Sequence, residues 1–184
     1  MRHMGTGVLE TRRLILRPFT VEDAPAMYRN WASDPEVTRF LTWLPHADES
    51  VTLEVCAFWA SRYAERTFYQ WAVVLRDLGE PIGSIGVVGR NEPIDAVEMG
   101  YCLGRPWWGR GLMAEALGEV IGFFFREAGA NRVEADHDVE NPNSGRVMEK
   151  CGMRYEGTRR QGARNNRGLR DAACYAILRE DWER

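Results

Sequence analysis

Apolar and polar positions change period along this chain, and each change marks an element. Around Leu9–Arg17 they alternate, with Leu14 and Leu16 on one face and Arg13, Ile15 and Arg17 on the other, which predicts a strand ended by Pro18. Thr20-Val21-Glu22-Asp23 has the form of a capping box and opens a helix running to Trp31, and Asp34-Pro35 starts a short second one. From Ser50 to Ala64 the spacing is helical again, through Val51, Val55, Phe58, Trp59 and Arg62. Tyr69–Leu75 is rich in aromatic and β-branched residues, Asp77–Glu80 supplies a turn, and Pro81–Val88 returns as the second strand of a hairpin. Gly89–Asp95 reads as a loop and Ala96–Leu103 as a third strand; the short connections predict antiparallel pairing.

Leu112–Ala128 then predicts a helix with Met113, Leu117, Val120, Ile121 and Phe124 as its buried stripe. Glu115, Glu119 and Arg126 lie on its wetter side, and Gly129 caps it. Arg132–His137 is a strand, and Asn141-Pro142 opens a short helix that Gly152 closes. Met153–Thr158 and Arg170–Leu178 form a last strand pair joined by a polar loop, Arg159–Gly168. With no repeat or linker, residues 9–184 are expected to form one α+β domain, and residues 1–8 a loose tail or cloning scar.

Composition narrows the class. The chain has 184 residues, 45% of them hydrophobic, which is enough for a self-supporting core. Its net charge of −3 offers no general attraction to nucleic acid or an anionic membrane. No apolar run approaches the roughly 18–20 residues of a membrane span. The four cysteines lack CxxC spacing and the three histidines are scattered, so neither a metal site nor a disulfide framework is expected. The expectation is a soluble cytoplasmic chain with free thiols, a monomer or homodimer.

The most informative stretch is Pro106-Trp107-Trp108-Gly109-Arg110-Gly111-Leu112-Met113-Ala114-Glu115-Ala116-Leu117. Two glycines uncover the backbone where a helix begins, and the unpaired N–H groups of a first helical turn bind phosphates. Gly109–Ala114 satisfies G-x-G-x-x-A, with Glu134 and Asp136 about 20 residues on, as a dinucleotide site would require. A Rossmann unit, however, puts these glycines directly after its first parallel strand, and here three antiparallel strands and Arg105–Trp108 precede them.

The order Arg105–Gly111, Ala114–Leu117, Asn141-Pro142-Asn143-Ser144 and Val147–Met153 resembles the GNAT family of acyl-CoA-dependent N-acyltransferases. The opening Leu9–Pro18 and the closing Asp171, Tyr175, Leu178 and Trp182 resemble its ribosomal-protein N-terminal acetyltransferase branch. The resemblance covers Leu9–Trp182 and implies a largely antiparallel twisted sheet of about six to seven strands, flanked by helices and splayed around an acyl-CoA cleft. Pro106 stands where the family usually carries glutamine or arginine.

Acyl transfer to an amine needs a base for the ammonium, a donor for the carbonyl oxygen and a hydrogen bond for the departing thiolate. By the resemblance, main-chain N–H groups of Gly109, Arg110, Gly111, Leu112, Met113 and Ala114 hold the pyrophosphate of acetyl-CoA, and Tyr101, Cys102, Leu103 and Trp108 complete the binding surface. Gly100 marks a strand irregularity that frees main-chain groups for the pantetheine arm. Glu98 is the implied base. Met148 replaces the family's common tyrosine donor, and the branch's N-x-x-S appears as Asn141, which would hold pantetheine, and Ser144, which would meet the sulfur.

The acceptor is either the N-terminal amine of a protein or peptide, which would need an open groove, or a small amine in a closed pocket lined by Trp31, Trp43 or Trp59. The rival readings are a non-catalytic acyl-CoA-binding module and a dinucleotide oxidoreductase.

Overall fold

The computed structural model describes residues 1–183. Its strands are β1 (Leu9–Glu10), β2 (Leu14–Arg17), β3 (Gln70–Leu75), β4 (Glu80–Asn91), β5 (Ala96–Leu103), β6 (Arg132–Asp138), β7 (Arg154–Asn165) and β8 (Gly168–Leu178). They make one eight-stranded sheet in the order β1-β2-β3-β4-β5-β6-β8-β7. All neighbours are antiparallel except β5 and β6. That lone parallel pair is no doubly wound unit, which sets the dinucleotide reading aside. The helices are α1 (Ala24–Met27), α2 (Pro35–Thr38), α3 (Glu49–Arg62), α4 (Leu112–Phe123), α5 (Pro142–Lys150) and α6 (Arg179–Trp182).

Each face of the sheet has its own core. Helix α4 buries Met113, Leu117, Val120 and Ile121 against Trp71, Val73, Val97 and Met99. It continues as a π turn, Phe124–Ala128, to Gly129 at φ 75°. On the other face Phe19, Met27, Trp31 and Cys56 pack on Ala72 and Val74. Helix α3 turns Thr52 and Cys56 inward, whereas Phe58, one of the residues at helical spacing, is 55% exposed under the Arg62 guanidinium.

Several expectations change: the sheet has eight strands rather than about six to seven, and β4 runs to Asn91 through part of the expected Gly89–Asp95 loop. Leu9–Arg17 is two strands, because the chain reverses at Thr11–Arg13 and Leu9 pairs with Leu16. The expected loop Arg159–Gly168 continues the last two strands into a long hairpin; its arginines and Gln161 are exposed and the residue it buries, Asn165, is polar, so no apolar alternation marked it. Residues 1–8 are docked rather than loose: Arg2 N donates to Ala128 O at 2.7 Å, Gly5 N to Arg66 O at 2.8 Å and Trp71 Nε1 to Gly7 O at 2.7 Å.

Candidate active site

The sheet splits where β5 leaves β6. Pairing runs from Ala96↔Arg132 to Glu98↔Glu134 and stops, although the strands continue to Leu103 and Asp138. The irregularity expected at Gly100 lies on β4, where the register shifts between Val87 and Gly89 and leaves Val88 as the extra residue. Gly100 accommodates it, since a Cβ there would meet Val88 Cγ1 at 2.6 Å. Gly89 likewise leaves room for Glu98, whose Oε2 would lie 2.6 Å from an added Cβ.

Beside the split lies a cleft of about 820 Å³. Tyr101, Cys102, Leu103, Trp108, Gly109, Gly111, Leu112, Met113, Ala114, Asn141 and Ser144 all line it. Arg110 does not; its carbonyl instead accepts from Arg13 Nη1 at 3.0 Å. Gly109 and Gly111 have φ of 74° and 73°, the left-handed region that disfavours any side chain. Among the described residues no protein acceptor takes the N–H groups of Gly109–Ala114, and the first helical bond is Glu115 N to Gly111 O at 3.1 Å. The Trp108 indole ties the loop to β5 by donating to Leu103 O at 2.6 Å.

A clamp that sequence reasoning missed fixes this loop from behind. Glu115, expected merely on the wet side of its helix, accepts from Thr11 Oγ1 at 2.6 Å, Arg13 N at 2.9 Å and Arg13 Nε at 2.6 Å. Burial opposes its charge, but these hydrogen bonds prevail and hold the carboxyl below its ordinary pKa. Only an acid one turn into a helix whose entry faces a phosphate hinted at it. Glu115→Ala is expected to weaken CoA binding about 5–30-fold, the worth of about one to two lost kcal/mol of loop ordering. Calorimetric titration with CoA checks this.

On the opposite wall Asn141 occupies the N-cap position of α5, yet its side chain caps nothing. It is therefore available to the cleft. Ser144 Oγ lies 2.9 Å from Tyr101 Oη. Met148 is 1% exposed and belongs to the core. Burial raises the Cys102 thiol above its ordinary pKa, which disfavours a thiolate nucleophile there.

Glu98 stands apart from this group. It lines a second cavity, of about 380 Å³, with Glu134, Asp136, Arg159 and Cys174. Asp136 is ion-paired with Arg159 at 3.0 Å and with Arg170, and Glu134 accepts from Arg132 Nε at 2.7 Å. Glu98 has no such partner among the described residues. Burial, then the charges of Asp136 and Glu134, push its pKa up, against the pull of Arg159 and Arg170. Asp171 is not among the residues lining this cavity and accepts from Gln161 N at 2.8 Å. Of the tryptophans considered for a closed acceptor pocket, Trp31 is 0% exposed in the core and Trp59 packs on Phe19 with centroids 4.7 Å apart. Half-buried Trp43 lies beside His46, its carbonyl accepting from Asn166 Nδ2 at 2.8 Å, so that the β7–β8 hairpin is tied to the early helices.

The model of the acetyltransferase (GNAT) domain family matches residues 13–154. An uncharacterized N-acetyltransferase, p20, of Bacillus licheniformis is 29% identical over 174 residues, 95% of this chain and 97% of that protein. The [ribosomal protein uS5]-alanine N-acetyltransferase of Escherichia coli is 31% identical over 87 residues, 47% of this chain and 45% of that protein. The crystal structure of a GNAT-family acetyltransferase from Bacillus anthracis superposes with a TM-score of 0.82 at 25% identity, covering 95% of this chain and 99% of that one.

Proposed function

This chain belongs to the acetyltransferase (GNAT) family, and from that premise we propose that it moves an acetyl group from acetyl-CoA directly onto a protein N-terminal amine. The observation that carries the donor reading is one cleft lined both by Gly109, Gly111, Leu112, Met113 and Ala114, whose N–H groups have no protein acceptor among the described residues, and by Ser144 and Asn141, whose side chain caps nothing. The first-turn amides receive the pyrophosphate, Asn141 steadies the pantetheine arm, and the part of β5 beyond its pairing with β6 offers main-chain groups to it. The acceptor amine comes from the cavity of Glu98, whose raised pKa suits it to take a proton from an α-ammonium group titrating near pH 8. The neutral nitrogen attacks the carbonyl carbon, the C–S bond breaks with its electron pair on sulfur while Ser144 hydrogen-bonds the thiolate, and the second proton of the nitrogen passes through solvent to that thiolate.

A polypeptide end is proposed over a small amine because a ribosomal-protein N-terminal acetyltransferase is among the relatives. Such an acceptor puts the reaction in the cytoplasm.

The test is acetyl transfer over a panel of N-terminal peptides, lysine peptides, polyamines and aminoglycosides. N-terminal peptides should be the best acceptors; turnover only on small amines would overturn the acceptor assignment. Thermal melting should show stabilisation by CoA, about 2.7 kcal/mol at 100 Kd, and none by NAD. Stabilisation by CoA with no turnover on any amine would mean a binding module. Ser144→Ala should lower kcat about 10–100-fold while CoA affinity stays within about threefold. Normal turnover would remove Ser144 from its role.

A further inference from the structure

Tyr101 and Ser144 are brought together from β5 and α5, and their hydrogens can be arranged in two ways. Tyr101 Oη lies 2.9 Å from Ser144 Oγ and 3.0 Å from the Ser144 carbonyl oxygen. The carbonyl can only accept. When the phenol donates to it, the serine hydrogen is left to point at the phenol oxygen, away from the cleft that both residues line. When the phenol donates to Ser144 Oγ instead, the serine hydrogen is released toward the cleft. Among the described residues Ser144 Oγ has no other hydrogen-bond partner, so Tyr101 is the protein group that can hold its hydrogen.

We propose that Tyr101 is a positioning residue for acetyl transfer: it holds the Ser144 hydroxyl in the resting site and, as charge develops on sulfur, turns its own O–H from the Ser144 carbonyl to Ser144 Oγ. The serine hydrogen then points at the departing sulfur. This rests on the reading of Ser144 given above. No proton leaves the pair; two hydrogen bonds change direction. The first ammonium proton goes to Glu98, the new N–C bond forms as C–S breaks, the electron pair goes to sulfur, and the second nitrogen proton reaches the released thiolate through solvent. Burial raises the Tyr101 phenol above its ordinary pKa, so it remains a neutral donor at physiological pH.

The test is a double-mutant cycle of Tyr101→Phe and Ser144→Ala, with kcat, KM for acetyl-CoA and calorimetric CoA binding measured on the full chain. Tyr101→Phe should lower kcat about 10–100-fold with KM and CoA affinity within about threefold, and should cost nothing further in the Ser144→Ala background. Wild-type kcat in Tyr101→Phe, or losses that multiply in the double variant, would overturn the proposal while leaving Ser144 in place. Wild-type kcat in Ser144→Ala would remove the reading on which it stands. Should Tyr101→Phe fold poorly, a fluorinated tyrosine at that position, whose phenol ionises at lower pH, provides a second readout. Its kcat should fall as pH rises through that ionisation, because a phenolate cannot donate. A profile identical to wild type across a pH range in which ultraviolet absorbance shows that phenol ionising would overturn the proposal.

Discussion

Glu98→Gln is expected to lower kcat/KM on a peptide N-terminus by about 10²–10⁴-fold, the usual worth of a positioned general base. The expectation rests on a carboxylate with no ion-pair partner in a cavity whose other acids, Glu134 and Asp136, are held by Arg132, Arg159 and Arg170. A base works only when deprotonated, so wild-type activity should fall as pH drops through the raised Glu98 pKa. In Glu98→Gln that acid limb should vanish, and residual activity should simply follow the fraction of neutral amine as pH rises.

Stability should move the other way. A carboxyl whose pKa is raised by folding favours the folded state below its unfolded pKa, and that advantage is lost as pH rises through the folded value. At neutral pH the ionised Glu98 therefore costs stability, and Glu98→Gln should melt no lower than wild type there. Its relative gain should disappear in acid. Loss of activity with retained melting temperature would distinguish chemistry from collapse; an unchanged pH–rate profile would sink the assignment.

What could be read in the sequence was local. The alternation in Ala96–Leu103 gave a strand with the same bounds, and the stripe Met113, Leu117, Val120, Ile121, Phe124 is buried as a helical period requires. The paired glycines and Asn141–Ser144 could be found because each group of residues is contiguous. Pairs made only by folding were silent. Arg13 and Glu115 are 102 positions apart, and Tyr101 and Ser144 are 43 apart. The turn at Thr11–Arg13 carries no glycine or proline, since its geometry is held partly by Glu115 rather than by turn chemistry. The bulge was misplaced for a related reason: Gly100 is the residue that yields, but the extra residue it yields to is Val88 on the neighbouring strand.

Gly111→Val is expected to lower CoA affinity at least about 100-fold. Gly111 sits at φ 73° as the N-cap of α4, and an added Cβ would meet nothing nearer than Arg13 Nη2 at 3.8 Å. The protein itself therefore leaves space, and the demand for glycine comes from the backbone conformation. A β-branched residue resists that conformation by about 1–2 kcal/mol. The chain can avoid it by rotating out of the left-handed region, which redirects the amides that follow. Each N–H hydrogen bond to a charged phosphate is worth about 1.5–3 kcal/mol, so losing two accounts for the predicted drop. Because the strain is confined to a loop over open space, the core should remain intact, with a melting temperature lowered by only several degrees in the absence of CoA. The discriminating comparison is with Gly111→Ala, which has no β-branch and should lose less affinity than valine. If Gly111→Val binds CoA as wild type does, the phosphate is held elsewhere and the amide cradle is wrong.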